Sequence, residues 1–481
     1  MNKTIRRASV FALLLVFALL VRATWVQFYD GRALADDKDN RRKAIETYAQ
    51  PLGNIIVAGS AITGSTQTSG DLKYKRTYKD GKLYAAVTGY SSQVYGATQL
   101  EGIYQDLLDG TDSRLKNPLD TISGKRAAPG DVITTIDPDV QKAAYDALGD
   151  KKGAAVAIDP ATGRILAVVS TPSYDPTTLS AGDTTAWQRL TKDPTKPMTN
   201  RALRQPLPPG STFKLVVAAA ALEDGLYSSV DEKTDSPDPY TLPGTARVLS
   251  NENPNAPCEN ATIRTALQYS CNNVFAKMAV DLGQDKVKAM AQKFGFNDRS
   301  QDVPVRAYPS VYPSGMDRAQ TALTGIGQFD VTATPLQMAM VSAAIANGGK
   351  LVSPHMVSQI SDGNGNVLEN YDDKAGAQRI VSSSTAAQLQ SAMQTVVEQG
   401  TGTNARMSGV TVGGKTGTAQ HGENNSQVPY AWFTSYGKSD ATGKEVAVAV
   451  VVEQSDAARS EVSGNGLAAP VAKAMMTAAL K

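Results

Sequence analysis

Residues 208–221 read Pro-Pro-Gly-Ser-Thr-Phe-Lys-Leu-Val-Val-Ala-Ala-Ala-Ala. The Pro-Pro-Gly sequence predicts a turn, and the apolar run after it predicts a helix that is buried on every face. Ser211 is then expected at the start of this core helix. Lys214 follows three residues later and should lie over the same face. The rest of the fold is expected to pack around this helix.

Ser211 and Lys214 have the spacing of a catalytic pair. A serine hydroxyl needs an adjacent base to become a nucleophile, and a lysine amine can be that base when burial and positive potential lower its pKa. The start of a buried helix supplies both conditions. The alternative is that Ser211 only caps the helix. Spacing alone is weak support, because Ser113 and Lys116 repeat it in a polar stretch that breaks at residues 117–118.

Two further motifs strengthen the catalytic interpretation. Ser270-Cys271-Asn272 lies in a predicted helix over residues 263–280, where Ser270 can pass a proton and Asn272 can hydrogen-bond both an amine and a carbonyl. The alternative there is an ordinary polar helix face. The second motif follows an apolar strand and offers an amine, hydroxyls and a strand edge to an extended peptide with a free carboxylate. The residues of this second motif are Lys415, Thr416, Gly417 and Thr418. The alternative interpretation of this segment is a glycine-rich hairpin turn.

Composition excludes several classes of function. The 481 residues carry a formal net charge of +2, and no basic patch with interleaved aromatic residues appears, so nucleic acid is not expected as a partner. The only two histidines, His355 and His421, have no cysteine or second histidine at ligand spacing. We therefore expect no metal site, no histidine-based triad and no cofactor.

The N-terminus predicts a membrane anchor. Residues 1–7 are basic and form an expected cytoplasmic tail, and residues 8–28 are apolar enough to span a membrane if Arg22 snorkels and the aromatic residues at the end lie at the interface. The alternative is a signal peptide cleaved near Ala33-Leu34-Ala35. In both cases the remainder is exported. An exported chain allows a disulfide between Cys258 and Cys271, although two buried thiols remain an equal alternative.

The exported part divides into two predicted domains. Residues 29–150 predict a non-catalytic pedestal of dimerisation-domain type, with strands over 83–90 and 130–137 and helices over 100–108 and 138–148. Residues 151–481 predict an α+β catalytic domain. Its five strands should form one antiparallel sheet flanked by helices, with a closing helix over 466–480. The predicted strands cover residues 154–158, 164–170, 409–413, 430–436 and 446–452.

Ser-x-x-Lys, Ser-x-Asn and Lys-Thr-Gly, in this order, are the signature of penicillin-recognising serine acyltransferases. The sequence resembles the class B penicillin-binding proteins, which are monofunctional peptidoglycan D,D-transpeptidases, and its size and plan are similar to their actinobacterial members. The resemblance implies the penicillin-binding/serine β-lactamase-like transpeptidase fold. Outside the motifs it covers residues 36–42, 96–101, 153–163, 172–176, 200–203, 325–328, 334–337 and 431–433.

The resemblance also implies a role for each motif residue. Ser211 would attack the carbonyl of the penultimate D-alanine of a stem peptide, and Lys214 would take the hydroxyl proton. Ser270 and Asn272 would relay a proton and position the amide. The backbone amides of Ser211 and Thr418 would form the oxyanion hole. The terminal carboxylate would be bound by Lys415, Thr416, Gly417 and Thr418.

The expected partners follow from this reading: peptidoglycan stem peptides, β-lactam antibiotics, the membrane, and proteins of cell-wall synthesis or division. The alternatives are a β-lactamase, a D,D-carboxypeptidase and a non-enzymatic β-lactam sensor. Class A β-lactamases use a glutamate after Ser-x-Asn, and no glutamate occurs between Glu259 and Glu369. Residues 1–7 are too few for a sensor's cytoplasmic output domain. About 120 residues between the anchor and Gly153 leave little room for a glycosyltransferase.

Overall fold

The computed structural model describes residues 3–30, 41–115, 127–372, 375–422 and 426–481. The chain begins with a fully exposed helix, Lys3–Trp25, that continues as a π-helical turn over Val26–Asp30. Together they form a 28-residue segment that is long and apolar enough to cross a membrane, and its most apolar 18-residue stretch has a mean hydropathy of 2.2. Arg22 pairs with Asp30 at 3.2 Å. The alternative cleavage site at residues 33–35 lies outside the described residues.

The predicted five-stranded antiparallel sheet is confirmed, and we call it the central sheet. Its two N-terminal strands form one side, and its three C-terminal strands form the other, so the chain closes the sheet only when it returns at its end. The strand that carries the Lys-Thr-Gly motif is at an edge. From that edge the strands are Val410–Ala419, Tyr430–Ser439, Glu445–Gln454, Lys152–Ile158 and Ile165–Thr171.

Both faces of the central sheet are covered by helices. Alternate residues of the run 446–452 enter two different hydrophobic cores, which explains why this strand is apolar throughout rather than alternating. On one face, helix Pro138–Leu148 packs against the closing helix Ala469–Ala479. Helices Pro335–Ala346 and Ser383–Gln399 cover the other face.

The helical middle of the chain lies between the two groups of strands. Among the described residues it includes the 3₁₀ turns Gly210–Phe213 and Thr403–Ala405, and two short strand pairs, Tyr240–Thr241 with Val248–Leu249 and Lys350–Val352 with Ala377–Arg379. Its remaining helices are Thr177–Ser180, Thr184–Lys192, Arg201–Arg204, Lys214–Glu223, Ile263–Tyr269, Asn272–Leu282, Gln284–Lys293 and Arg318–Thr324.

The pedestal sheet has five strands, and two of them come from far along the chain. Asp131–Thr134 pairs in parallel with Ile55–Val57 and antiparallel with Val357–Ser361, which in turn pairs with Val367–Asn370. The catalytic part of the sequence thus completes a sheet begun in the pedestal. The fifth strand, Ser60–Ala61, pairs antiparallel with Ile55–Val57. The other pedestal elements are strands Thr63–Gln67, Tyr74–Tyr78, Ser91–Ser92 and Gly96–Ala97 and helices Arg41–Thr47, Gly81–Thr88, Gln99–Ile103 and Gln105–Leu108.

The strand predicted over residues 83–90 is wrong, because this segment is the helix Gly81–Thr88. Its aromatic and branched residues suggested a strand, but Tyr84 and Val87 are three positions apart and both face the core. Gly89, at φ 69°, ends the helix. The helix predicted over 100–108 is two short helices interrupted at Tyr104, and the strand predicted over 130–137 covers only Asp131–Thr134. The helix predicted over 138–148 is confirmed, and the Asp137 side chain caps it.

Candidate active site

Ser211 lies in a 3₁₀ turn, Gly210–Phe213, and the α-helix itself begins at Lys214. The α-helix predicted to start at Ser211 therefore starts three residues later. The two Pro residues and Gly210, at φ 54°, tighten the turn before the helix. The burial prediction is confirmed, since every residue from Lys214 to Ala221 is buried. The turn places Ser211 one helical turn before Lys214.

Close backbone contacts bring the Lys-Thr-Gly strand against this turn. A Cβ atom on Gly417 would lie 2.9 Å from the carbonyl oxygen of Pro209, so only glycine allows the strand this near. On the other side, a Cβ on Gly327 would lie 2.0 Å from the Gly210 carbonyl oxygen. The Gly210 amide donates to the Gly327 carbonyl at 3.0 Å. Two glycines thus hold the nucleophile turn between the strand and the loop of Gly327.

Ser270 breaks the helix that was predicted over residues 263–280. Helix Ile263–Tyr269 ends at Ser270, which has a left-handed backbone with φ 61°, and a new helix begins at Asn272. A non-glycine residue rarely adopts this conformation, and here it turns the Ser270 side chain out of the helix line. Cys271 forms a disulfide with Cys258, so the bridged alternative is the correct one.

The Lys214 amine is enclosed by the Ser-x-Asn motif. It donates to the Ser270 carbonyl at 2.7 Å, to the Asn272 Oδ1 atom at 2.8 Å and to the Ser270 hydroxyl at 3.3 Å. The Phe275 ring lies 5.5 Å from the amine. All three acceptors are neutral, so the site solvates the amine without pairing its charge.

Ser270 also contacts the second lysine. Lys415 donates to the Ser270 hydroxyl at 3.0 Å and to the Thr416 carbonyl at 3.0 Å, and its side chain is fully buried. When Lys214 is protonated, the Ser270 oxygen accepts from both lysines, which uses its two lone pairs and leaves its hydrogen free to donate. This hydroxyl is the link between Lys214 and Lys415.

Burial shifts the pKa values of both lysines in the direction that a base requires. Desolvation and the nearby charge of Lys415 lower the pKa of Lys214 well below 10.5. Desolvation also lowers the pKa of Lys415, to about 7. Glu252, an exposed residue that the sequence did not single out, opposes both shifts because its negative charge favours the protonated amines.

The motif side chains differ in how far a substrate can reach them. Ser211, Ser270 and Thr416 expose 9%, 8% and 7% of their surface, whereas Asn272 and Thr418 are half-buried. The Thr416 hydroxyl also hydrogen-bonds the Thr401 hydroxyl at 2.7 Å. The structure thus brings the predicted site residues together: the Lys214 amine contacts Ser270 and Asn272, Lys415 contacts Ser270, and the strand of Gly417 packs on the turn that carries Ser211. We call this site the cleft, and Lys415 is fully buried in it. The competing Ser113 lies in a short pedestal turn, and Lys116 lies outside the described residues.

Besides Glu252, the sequence analysis missed Ser250 and Asn251. The Ser250 carbonyl accepts from the Asn272 side-chain amide at 3.0 Å, and the Asn251 side chain accepts from the Asn272 backbone amide at 2.5 Å. They precede Asn272 by more than twenty residues and match no motif. No local signal in the sequence could have identified them.

The penicillin-binding protein transpeptidase domain family matches residues 153–477. The chain belongs to the class B penicillin-binding proteins. A second family, the penicillin-binding protein A dimerisation domain, matches residues 52–132 of the pedestal. The family predicted from the three motifs is therefore confirmed.

Similar proteins cover the whole chain. The peptidoglycan D,D-transpeptidase PbpA of Mycobacterium tuberculosis is 37% identical, over 100% of this chain and 99% of that protein. The protein of the same name from Mycolicibacterium smegmatis is also 37% identical, over the same shares. The structure of penicillin-binding protein A from M. tuberculosis as a ceftriaxone acyl-enzyme complex has a TM-score of 0.83 and 36% identity, over 91% of this chain and 100% of that chain.

Proposed function

We propose that this chain is a serine-type peptidoglycan D,D-transpeptidase that works through an acyl-enzyme on Ser211 and is acylated there by β-lactams. The observation that carries the proposal is the buried Lys214 amine, one helical turn from Ser211, with a pKa lowered toward that of a base. The names of the PbpA relatives and the acyl-enzyme state of the solved neighbour support it.

In the first step the Ser211 oxygen attacks the carbonyl carbon of the penultimate D-alanine. Neutral Lys214 accepts the hydroxyl proton as the oxygen–carbon bond forms. The backbone amides of Ser211 and Thr418 stabilise the tetrahedral oxyanion. The carbon–nitrogen bond then breaks, and the Ser270 hydroxyl, which contacts both lysines, passes a proton to the departing D-alanine amine.

The carboxylate of the substrate is bound at the Lys-Thr-Gly strand. Thr418 is the more accessible threonine of the motif, so its hydroxyl and that of Thr416 are suited to direct hydrogen bonds. Lys415 supplies positive charge from below, since its amine is buried and already donates to Ser270 and Thr416. Gly417 keeps the strand close to the nucleophile turn. Asn272 positions the substrate amide with its side-chain nitrogen.

In the second step an amine of a neighbouring stem peptide attacks the ester and releases Ser211. A hydrolase would need a carboxylate that positions water at the ester. Asp317 and Asp330 are the aspartates that could substitute for the missing glutamate, and we assign the role to neither. The Asp317 side chain caps helix Arg318–Thr324 through the Gln320 amide at 2.8 Å, and Asp330 is exposed. Without a carboxylate that activates water, the ester should persist until an amine attacks it. This favours aminolysis over hydrolysis, and so a transpeptidase over a carboxypeptidase or a β-lactamase.

The N-terminal apolar helix is compatible with a single-pass membrane anchor. We place the catalytic domain outside the cytoplasm, where peptidoglycan and β-lactams are found and where the Cys258–Cys271 disulfide persists. Recruitment by proteins of cell-wall synthesis or division belongs to the same proposal.

Labelling with a fluorescent penicillin tests the function. Ser211→Ala should abolish covalent labelling while the thermal unfolding temperature stays that of the parent, because the substitution removes only the nucleophile oxygen. Ser113→Ala, which changes the serine of the unrelated Ser-x-x-Lys, is the matched control and should label fully. A Ser211→Ala protein that still labels would refute the assignment.

The fate of the labelled enzyme separates the proposed function from its alternatives. The penicilloyl ester should persist for many minutes at neutral pH, and turnover of a thioester donor should rise when a D-amino acid is added as the acceptor amine. Clearance of the ester within seconds, with catalytic accumulation of penicilloic acid, would identify a β-lactamase instead.

A further inference from the structure

The helix that begins at Asn272 receives its N-terminal cap from a distant residue. The residue before it, Cys271, provides no side-chain cap and is held in the disulfide. Asn251, 21 positions earlier, accepts from the Asn272 amide at 2.5 Å and from the Asn273 amide at 3.4 Å. The first amides of a helix have no partner within it, so a side-chain oxygen at this point stabilises the helix start.

The other end of the Asn251 side chain is also engaged. Its Nδ2 atom donates to Asp238 at 2.8 Å and to the Asn273 Oδ1 atom at 3.1 Å. The buried Asn273 donates in turn to the Cys258 carbonyl at 2.8 Å. Asn251 therefore has one orientation in which every polar atom has a partner. It joins the segment 236–260, which we call the strap, to the helix Asn272–Leu282.

This attachment determines how Asn272 presents itself to the base. Asn251 holds the Asn272 backbone, and the Ser250 carbonyl holds its Nδ2 atom at 3.0 Å. The Asn272 Oδ1 atom is then turned toward the Lys214 amine, which it contacts at 2.8 Å. Asn251 thus acts on Lys214 through Asn272.

The direction of the Lys214 lone pair depends on these contacts. A neutral amine has two hydrogens and one lone pair. The two shortest contacts, to the Ser270 carbonyl at 2.7 Å and to Asn272 at 2.8 Å, occupy the two hydrogens. The lone pair is left on the remaining side of the amine. If Asn272 moves, the amine can rotate and the lone pair loses its fixed direction.

We propose that Asn251 is a positioning residue for acylation: by capping the helix of Asn272 from the strap, it fixes the orientation of the Lys214 base. The inference rests on the proposed function, since it assigns Lys214 the role of base. It adds a residue outside the three motifs to the machinery that orients this base.

The test compares Asn251→Ala with Asn260→Ala by measuring the second-order rate constant of acylation by a fluorescent penicillin across pH. Asn260 is the matched control, because it belongs to the same strap and accepts from the Ser236 amide at 2.8 Å without contacting Asn272. We expect Asn251→Ala to lower the rate constant about 10- to 100-fold. Its acid limb should move to lower pH, since the Lys214 ammonium loses an acceptor.

Asn251→Asp supplies a readout that a merely structural role would not change. Aspartate keeps the capping oxygen but loses the Nδ2 donor and places its carboxylate against Asp238, so the rate should recover only part of the way toward the parent value. Its added negative charge favours protonated Lys214, so the acid limb should move to higher pH, opposite to that of the alanine variant. If Asn251→Ala does not fold, Asn251→Ser, which keeps a shorter capping side chain without adding a charge, takes its place in the comparison.

Two results would overturn the proposal. One is an Asn251→Ala protein with the parent's rate constant and pH profile. The other is a loss of rate equal to that of Asn260→Ala, with no movement of the acid limb in either Asn251 variant. Failure of the proposed function is a different result, because the parent itself would then not label at Ser211.

Discussion

Two buried clusters of charged side chains in this molecule are built in opposite ways. In the pedestal, Arg76 and Glu101 are both almost fully buried and contact each other at 2.6 Å, and Arg76 also donates to the Gly53 carbonyl and the Thr63 hydroxyl. In the cleft, two lysines of like charge are fully buried and share only neutral acceptors.

The difference separates a structural from a chemical use of buried charge. Arg76 has an opposite charge that offsets its desolvation, so the pair is tolerated as part of the core. Lys214 has no such partner, and its desolvation appears instead as a lowered pKa. Removing one member should therefore cost stability in the pedestal and activity in the cleft.

The largest effect is expected for Lys214→Met. Methionine fills the same buried space without an amine, so penicillin acylation should fall by about 10²- to 10⁴-fold, the usual contribution of a general base. The free energy of unfolding should stay within about 2 kcal/mol of the parent, because the lost hydrogen bonds are offset by replacing a buried polar amine with an apolar side chain of similar size. Labelling kinetics and chemical denaturation measure the two quantities. Full activity in this variant would contradict the cleft half of the comparison.

Glu101→Gln should show the reverse pattern. It leaves the Arg76 guanidinium buried without its counter-charge, which is expected to cost about 3–5 kcal/mol of unfolding free energy. The protein that remains folded should be labelled by penicillin at the parent rate. Glu445→Gln is the matched control, because it removes a glutamate whose partner Lys438 is exposed and should cost about 0–1 kcal/mol. Equal costs for the two variants would show that burial of the pedestal pair is irrelevant.

The pH profile of acylation tests the roles of the two buried lysines separately. Below the pKa of Lys214 the base is protonated, so the second-order rate constant should fall on the acid side. Above about pH 7 Lys415 loses its proton and the site loses positive charge for the carboxylate, so the rate should fall again. An acyl donor with an esterified carboxylate should react slowly but lack the alkaline limb. If the rate constant for the esterified donor also falls at alkaline pH, Lys415 does not bind the carboxylate.

The smallest effect is expected for Glu252→Gln. Its charge raises the pKa of both lysines, so its removal should lower both values and move the whole profile to lower pH. Because Glu252 is exposed and screened by salt, the movement should be less than about one pH unit. Glu259→Gln, which removes another exposed glutamate of the strap, should leave the profile in place. If Glu252→Gln instead changes the lifetime of the penicilloyl ester, Glu252 acts in the second step, the attack on the acyl-enzyme.

Sequence reasoning was most accurate where a local pattern has one physical solution. Periodicity and turn residues predicted the helix 138–148, the strand pair Lys152–Ile158 and Ile165–Thr171, and the last three strands of the central sheet. It failed at residues 81–88, where the same apolar positions suit a strand or a helix and contact with the core decides. It also missed the break at Ser270, because a left-handed serine is stabilised by its neighbours in space rather than by its own preference.

The sequence by itself determined the family, the five strands and the identity of the motif residues, because these depend on local residue patterns and on a motif order that few proteins share. Only the tertiary structure decided that Ser270 contacts both lysines, that Lys415 is fully buried and that Asn251 caps the helix of Asn272. The physical reason is that pKa values and hydrogen-bond partners depend on burial and on groups distant in the chain. These are brought together only when the chain packs.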